Sequence, residues 1–265
     1  MNKKGKLIVL AIAIVLIALI VGFFVQLQQP KSRKDNGVSV TNFKQDDYLK
    51  GVNIYSSENE LIDISDLKGT NKLIIFVWDK CGDCISEYDT YKIINALYHG
   101  NDLSVYYIWD DNIPEKKMNE LGIDLQQCYT AKGKVKITDW VPTYMIIDNN
   151  SKITLKTADA QILVDYLQAN NQVIEQGLGS LLRGTINLIG IDRCSSCQKA
   201  FEELQNTESD KFTYIISGEI SSERKMSNNI ISDKYQIIAK TYNCEVFPQK
   251  IKVDDNGNIL FENED

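Results

Sequence analysis

The chain carries two Cys-x-x-Cys pairs, Cys81–Cys84 and Cys194–Cys197, each at the same place in a repeated pattern. An apolar run from Leu73 leads to Asp79, Lys80 and the first pair; a second from Thr185 to Ile191 leads to Asp192, Arg193 and the other. Further on, Pro142 opens an apolar segment that reaches Asp148-Asn149-Asn150, and Pro248 opens a matching one that reaches Asp254-Asp255-Asn256. Self-similarity of this kind marks a tandem repeat. It demands that each copy place two thiols where a strand ends and a helix begins, with a distant proline opening a hairpin.

Periodicity fills in both copies. The first predicts a hairpin over Gly51 to Leu67 turning at Ser57-Glu58-Asn59, a strand over Lys72 to Val77 and a helix from Cys84 to Leu97. A strand over Leu103 to Trp109, a helix around Glu115 to Leu121, the hairpin after Pro142 and a helix over Ala158 to Ala169 follow. The second predicts a strand over Thr185 to Ile191, a helix over Cys197 to Gln205 and a strand over Phe212 to Ser217. It continues with a helix over Ile230 to Tyr242 and a hairpin turning through Asp255-Asn256-Gly257. Alternating strands and helices imply an α/β architecture with helices on both faces of each sheet. The second copy shows no closing helix, so one face of its sheet needs cover from Gln172 to Leu182 or from the first copy.

From Leu7 to Gln29 no residue is charged, and a bilayer-spanning helix needs about 20 apolar residues. The run lacks the Ala-x-Ala-like exit of a cleaved signal peptide. It predicts a transmembrane signal anchor over 7–27 behind a cytoplasmic leader, residues 1–6, and a polar tether over 28–50. Lys3, Lys4 and Lys6 are matched by Lys31, Arg33 and Lys34, so charge alone does not orient the span. The short leader favours a single pass through the cell membrane with the bulk of the chain extracytoplasmic. The expected boundaries are then 51–171 for the first domain, 172–183 for a linker and 184–265 for a shorter second domain.

Composition removes several function classes. A net charge of −7 supplies no basic stripe for a nucleic-acid partner. Zinc knuckles of one site stand roughly 12 to 20 residues apart, whereas more than a hundred separate Cys84 from Cys194. The single histidine, His99, reads as a helix-end residue, and neither pair is followed by the histidine that haem attachment requires. No cofactor and no metal are expected.

Strand, Cys-x-x-Cys at a helix start and a distant proline before a hairpin together resemble the thioredoxin fold, in which that proline is cis and faces the thiols. Residues 51–171 resemble more closely the membrane-anchored TlpA/ResA-like thiol-disulfide oxidoreductases. The likeness rests on Ile64 to Gly69 ending the hairpin, on Ile85-Ser86-Glu87 after the first pair, on the long insertion before the proline and on Val141-Pro142-Thr143. It implies that Glu87 influences the ionisation of the active cysteines, that Val141 and Pro142 contact substrate, and that a membrane or thioredoxin-type electron donor resets the site. Phe247 and Pro248 take the corresponding places in the second copy. That copy has Ala200 where the first has Glu87, and it resembles the thioredoxin fold only in general.

The chemistry follows from the thiols. Attack on a disulfide requires a thiolate, and the unpaired N–H groups and macrodipole of a helix N-terminus favour an anion there. Cys81 is therefore the expected nucleophile, with Cys84 resolving the mixed disulfide, and Cys194 and Cys197 are a second candidate centre. Lys80 favours a thiolate at Cys81, while Asp79 and Asp83 oppose it. Cys244, four residues before Pro248, is either a relay thiol for the second pair or a small buried residue. A bridge between Cys128 and Cys244 is open on sequence grounds.

The reading is a membrane-tethered oxidoreductase that reduces or isomerises disulfides of exported proteins. The rival from another class is a redox-inert thioredoxin-fold scaffold whose two pairs are fixed disulfides.

Overall fold

The computed structural model describes residues 40–100, 102–132, 140–174, 177–182, 184, 186–208, 211–221, 229–254 and 258–262. The expected leader, the apolar span over 7–27, most of the tether and the turn at 255–257 lie outside them. Among the described residues no helix is long and apolar enough to cross a membrane.

The order of elements is β1 (Asn53–Ser56), β2 (Leu61–Asp63), β3 (Asn71–Val77), α1 (Gly82–Ser86), α2 (Tyr88–Tyr98), β4 (Leu103–Trp109) and α3 (Glu115–Glu120). Next come β5 (Cys128–Thr130), β6 (Thr143–Ile147), β7 (Ile153–Thr157), α4 (Ala160–Asn170) and a 3-10 turn at Leu178–Leu181. The second copy runs β8 (Ile186–Gly190), α5 (Ser195–Glu208), β9 (Tyr214–Ser217), β10 (Ile230–Asp233), α6 (Ile237–Thr241), β11 (Gln249–Val253) and β12 (Ile259–Glu262).

Two sheets result, ordered β2-β1-β5-β4-β3-β6-β7 and β10-β9-β8-β11-β12. The repeat survives in five strands of each. In each, three parallel strands (β5, β4, β3; β10, β9, β8) adjoin an antiparallel hairpin (β6, β7; β11, β12). Both prolines follow cis peptide bonds, Val141–Pro142 and Phe247–Pro248. The two hairpins have one hydrogen bond in common, since Asp148 Oδ1 accepts from the N–H of Lys152 at 2.9 Å and Asp254 Oδ1 from that of Asn258 at 2.8 Å. This is the thioredoxin-like topology that the Cys-x-x-Cys and proline pattern implies.

Two expected helices change. The one predicted over Cys84 to Leu97 is broken at Glu87, whose N–H turns back to Cys84 O at 3.3 Å in a tightened, 3-10-like end to α1 before α2 begins. The helix predicted over Ile230 to Tyr242 begins only at Ile237. Ile230 to Asp233 instead forms β10, parallel to β9. Its alternation explains the change: Ile230 enters the cluster beneath α5, and Ile231 enters the one shared with α2. Gln236, at φ 58°, then turns the chain in a conformation no helix interior tolerates.

The residues of β3 alternate in the same way. Leu73, Ile75 and Val77 meet residues of α2 and α4, while Ile74 and Phe76 meet Val52, Ile54 and Ile64 of the hairpin region. The second sheet is covered on one face by Leu204 of α5 with Phe201 against it. On its other face, Ile189, Ile215, Ile231 and Ile251 join one core with Ile93, Ile94 and Leu97 of α2 and with Leu178 and Leu181. Both expected sources of cover are used, the linker and the first copy. Each of those buried aliphatic side chains contributes about 1.5–3 kcal/mol relative to exposure. The two sheets belong to a single compact unit, Gly37–Asp265.

Candidate active site

The loop after β3 delivers Cys81 to the N-cap of α1, where its sulfur accepts the N–H of Cys84 at 3.4 Å. The placement follows from the sequence. Cys81 takes an extended conformation, φ −88° and ψ 119°, and Gly82 starts the helix. Cys81 is half-buried and Cys84 is fully buried, and both are free thiols. Burial pushes the Cys84 thiol up to about 12, with the Cys81 and Asp83 side chains adding to the effect and a backbone hydrogen bond near Trp78 opposing it. Burial thereby favours the protonated form of Cys84, whereas Cys81 is only partly buried.

Across the cleft, the Cys81 thiol lies 3.4 Å from the carbonyl oxygen of Val141, the residue before the cis proline. The loop at Val141–Pro142 and the first cysteine pair, 60 residues apart, are thus brought together. A pocket of about 250 Å³ opens beside them. One wall is Trp140, Val141, Pro142 and Tyr144; another is Asp83 and Glu87. Trp78, Ile85 and Trp140 are exposed, Trp140 to 77%.

Glu87 is 5% exposed and its carboxylate is fully engaged. Its Oε2 accepts from Thr90 Oγ1 at 2.8 Å, and its Oε1 accepts from Lys234 Nζ at 2.8 Å and from Tyr235 Oη at 2.7 Å. Burial acts to lower the Lys234 pKa, but the hydrogen bonds with Glu87 and Tyr235 outweigh it and raise it above the ordinary lysine value. Burial, then Glu87, moves the Tyr235 hydroxyl up to about 12. Lys234 and Tyr235 escape any reading of local pattern. They follow β10, and they reach Glu87 only because the second sheet docks on α2.

The second pair repeats the cap. Cys197 N–H donates to Cys194 Sγ at 3.2 Å at the start of α5, and the two sulfurs are joined in a disulfide. The surroundings differ from those of the first pair. Asp79 is exposed, whereas its counterpart Asp192 is buried and accepts the N–H of Ser221 at 2.7 Å. Cys244 is a half-buried free thiol that shares a pocket of about 310 Å³ with Phe247, Ser217 and Lys240. Burial, then the nearby Asp233, pushes its thiol up to about 11. Cys128 is also free, buried in β5 and pushed up to about 12 by burial, so no bridge joins it to Cys244. His99 caps the end of α2, and its Nδ1 accepts the N–H of Val105 at 3.0 Å.

No family model matches the chain, and no curated protein is similar to it in sequence. Among solved structures, similar ones include the thioredoxin domain of a thiol-disulfide oxidoreductase from Bacteroides vulgatus, at 16% identity over 48% of this chain and 97% of that one, with a TM-score of 0.40. The C-terminal domain of an uncharacterized protein from Bacteroides fragilis is 17% identical over 51% of this chain and 99% of its own, with a TM-score of 0.39. A peroxiredoxin-like protein from Aquifex aeolicus is 12% identical over 48% of this chain and 87% of its own, at 0.38. Each of these matches spans about half of this chain.

Proposed function

We propose that the protein is a thiol-disulfide oxidoreductase working through Cys81 and Cys84. The observation that carries this reading is the meeting of a half-exposed cysteine at a helix N-terminus with the Val141 carbonyl, 3.4 Å away, beside an open pocket. The Cys81 thiolate attacks one sulfur of a substrate disulfide, forming a mixed disulfide and releasing the other substrate sulfur as a thiolate. Cys84 then attacks the Cys81 sulfur, breaking the mixed disulfide, and its proton passes to the departing substrate sulfur. The substrate leaves with both thiols reduced, and two electrons have passed to it from the Cys81–Cys84 dithiol. A two-electron donor must restore that dithiol. Run in reverse, the same steps oxidise or isomerise.

The exposed Trp78, Ile85 and Trp140 around Cys81 suit an extended polypeptide rather than a small molecule. In this reading the apolar stretch over 7–27 anchors the protein in the cell membrane, its substrates are exported proteins, and the donor is a membrane or thioredoxin-type protein. Cys194 and Cys197 form a second centre of the same kind.

The test is Cys84→Ala in the full chain, which removes the resolving thiol. The variant is expected to accumulate a mixed disulfide through Cys81, identified by mass. In the wild type, iodoacetamide at neutral pH should modify Cys81 at least about tenfold faster than Cys84, whose thiolate is scarce. A first pair that does not cycle in thiol redox buffers, together with an empty trap, would overturn the assignment.

A further inference from the structure

The pocket beside Cys81 is not built by the first copy alone. Lys234 and Tyr235 line it too, 147 and 148 residues from Glu87. Their only route there is the docking of β10 on α2, which a second contact holds: the N–H of Ser232 donates to Asp89 Oδ2 at 2.9 Å. Glu87 directly follows α1, whose N-cap is Cys81, and it shares the pocket with Val141, whose carbonyl meets the Cys81 thiol. A buried carboxylate at that place would oppose a thiolate at Cys81. Three donors on its two oxygens, one of them an ammonium, offset that charge.

We propose that Lys234 and Tyr235 of the second copy are positioning residues for the Cys81–Cys84 centre, acting through Glu87, so that the second copy completes the active site of the first. The proposal rests on the reading of Cys81 as the nucleophile. It assigns the second copy a task that does not depend on whether Cys194 and Cys197 exchange electrons. Other titratable groups face Glu87 or the pocket as well: Tyr91 of α2, Tyr144 of β6 and Asp83 of α1. Asp89 and Cys84 lie on the same two helices. None of these supplies a positive charge; of the cations nearby, which also include Lys80 beside Cys81 and Lys92 of α2, Lys234 is bonded to Glu87 Oε1 at 2.8 Å.

The experiment follows the pH profile of Cys81 alkylation by iodoacetamide, by peptide mass, in the full chain carrying Lys234→Met, Lys234→Arg, Tyr235→Phe or Glu87→Gln, and in the Lys234→Met/Glu87→Gln double variant. Lys234→Met is expected to slow alkylation near neutral pH by about three- to tenfold, because the Glu87 carboxylate loses its ammonium partner. Lys234→Arg should stay within about twofold of wild type, and Tyr235→Phe should show a smaller slowing. In the Glu87→Gln background, Lys234→Met should change nothing, which a merely structural loss would not reproduce. An unchanged rate in Lys234→Met, or the same slowing with and without Glu87, overturns the proposal. Alkylation reports on Cys81 whether or not the pair cycles, so failure of the oxidoreductase reading is seen separately, in the redox buffers and the trap.

Discussion

Asp89 of α2 accepts, through Oδ2 at 2.9 Å, the backbone N–H of Ser232 in β10, the edge strand of the other sheet. The contact gives an edge N–H a partner that no neighbouring strand provides there. Asp89→Ala should destabilise the chain by about 1–3 kcal/mol, the cost of removing a charged acceptor and leaving its donor part-buried. Urea unfolding measures it. Asp89→Asn, which keeps an acceptor oxygen, should cost less than half as much.

Asp233, at the end of β10, is buried and accepts the N–H groups of Ile237, Ile238 and Ala239 at 2.6, 3.0 and 3.2 Å. Burial raises its pKa to about 6, and the three backbone bonds and Lys240 oppose the rise. The sign follows from proton uptake. Between its unfolded and folded pKa values the native state holds more protons at this site, so its contribution to stability is present below the ordinary aspartate range and is lost as pH rises through about 6. The change is about 3 kcal/mol at most, two pKa units at 1.36 kcal/mol each. Unfolding free energies at pH 4.5 and 7 should differ less in Asp233→Asn than in wild type, by about 2 kcal/mol, the part of the change that falls between those two pH values. An identical difference in both would contradict the assignment.

Gly190 ends β8 where a Cβ would lie 2.6 Å from Tyr214 Oη and 3.0 Å from Cys197 Cβ, whereas a Cβ on Gly82 would meet nothing within 4 Å. Gly190→Ala should therefore cost about 1–3 kcal/mol through overpacking. Gly82→Ala, in α1, should be neutral or stabilising by about 0.4–1 kcal/mol. Thermal melts of the two variants, run side by side, decide the point.

Much of this was legible in residue order because it is local. Ile74 to Val77 is a β-branched and aromatic run, Cys81 caps a helix, and the aspartates after Pro142 and Pro248 carry their own hydrogen bonds. The third parallel strand of each copy was not. Cys128 to Thr130 is too short to show alternation, and Ile230 to Asp233 runs close to a genuine helix at Ile237, so that the two merge into one apolar stretch. Lys234 and Tyr235 follow this strand, so residue order does not place them at the site. Glu87 is marked by the family resemblance of the residues after the first pair, yet its partners come from tertiary docking, which no spacing rule reports.

α2 is packed against both sheets, with Ile93, Ile94 and Leu97 in a core that also holds Leu73 of one and Ile215 of the other. A helix shared in this way removes the independence that two repeated units would otherwise have. Neither copy can open without uncovering the other, so the pair should melt in a single cooperative transition rather than in two steps. Substitutions that loosen the second copy would then be inherited, as lost function, by the cysteines of the first.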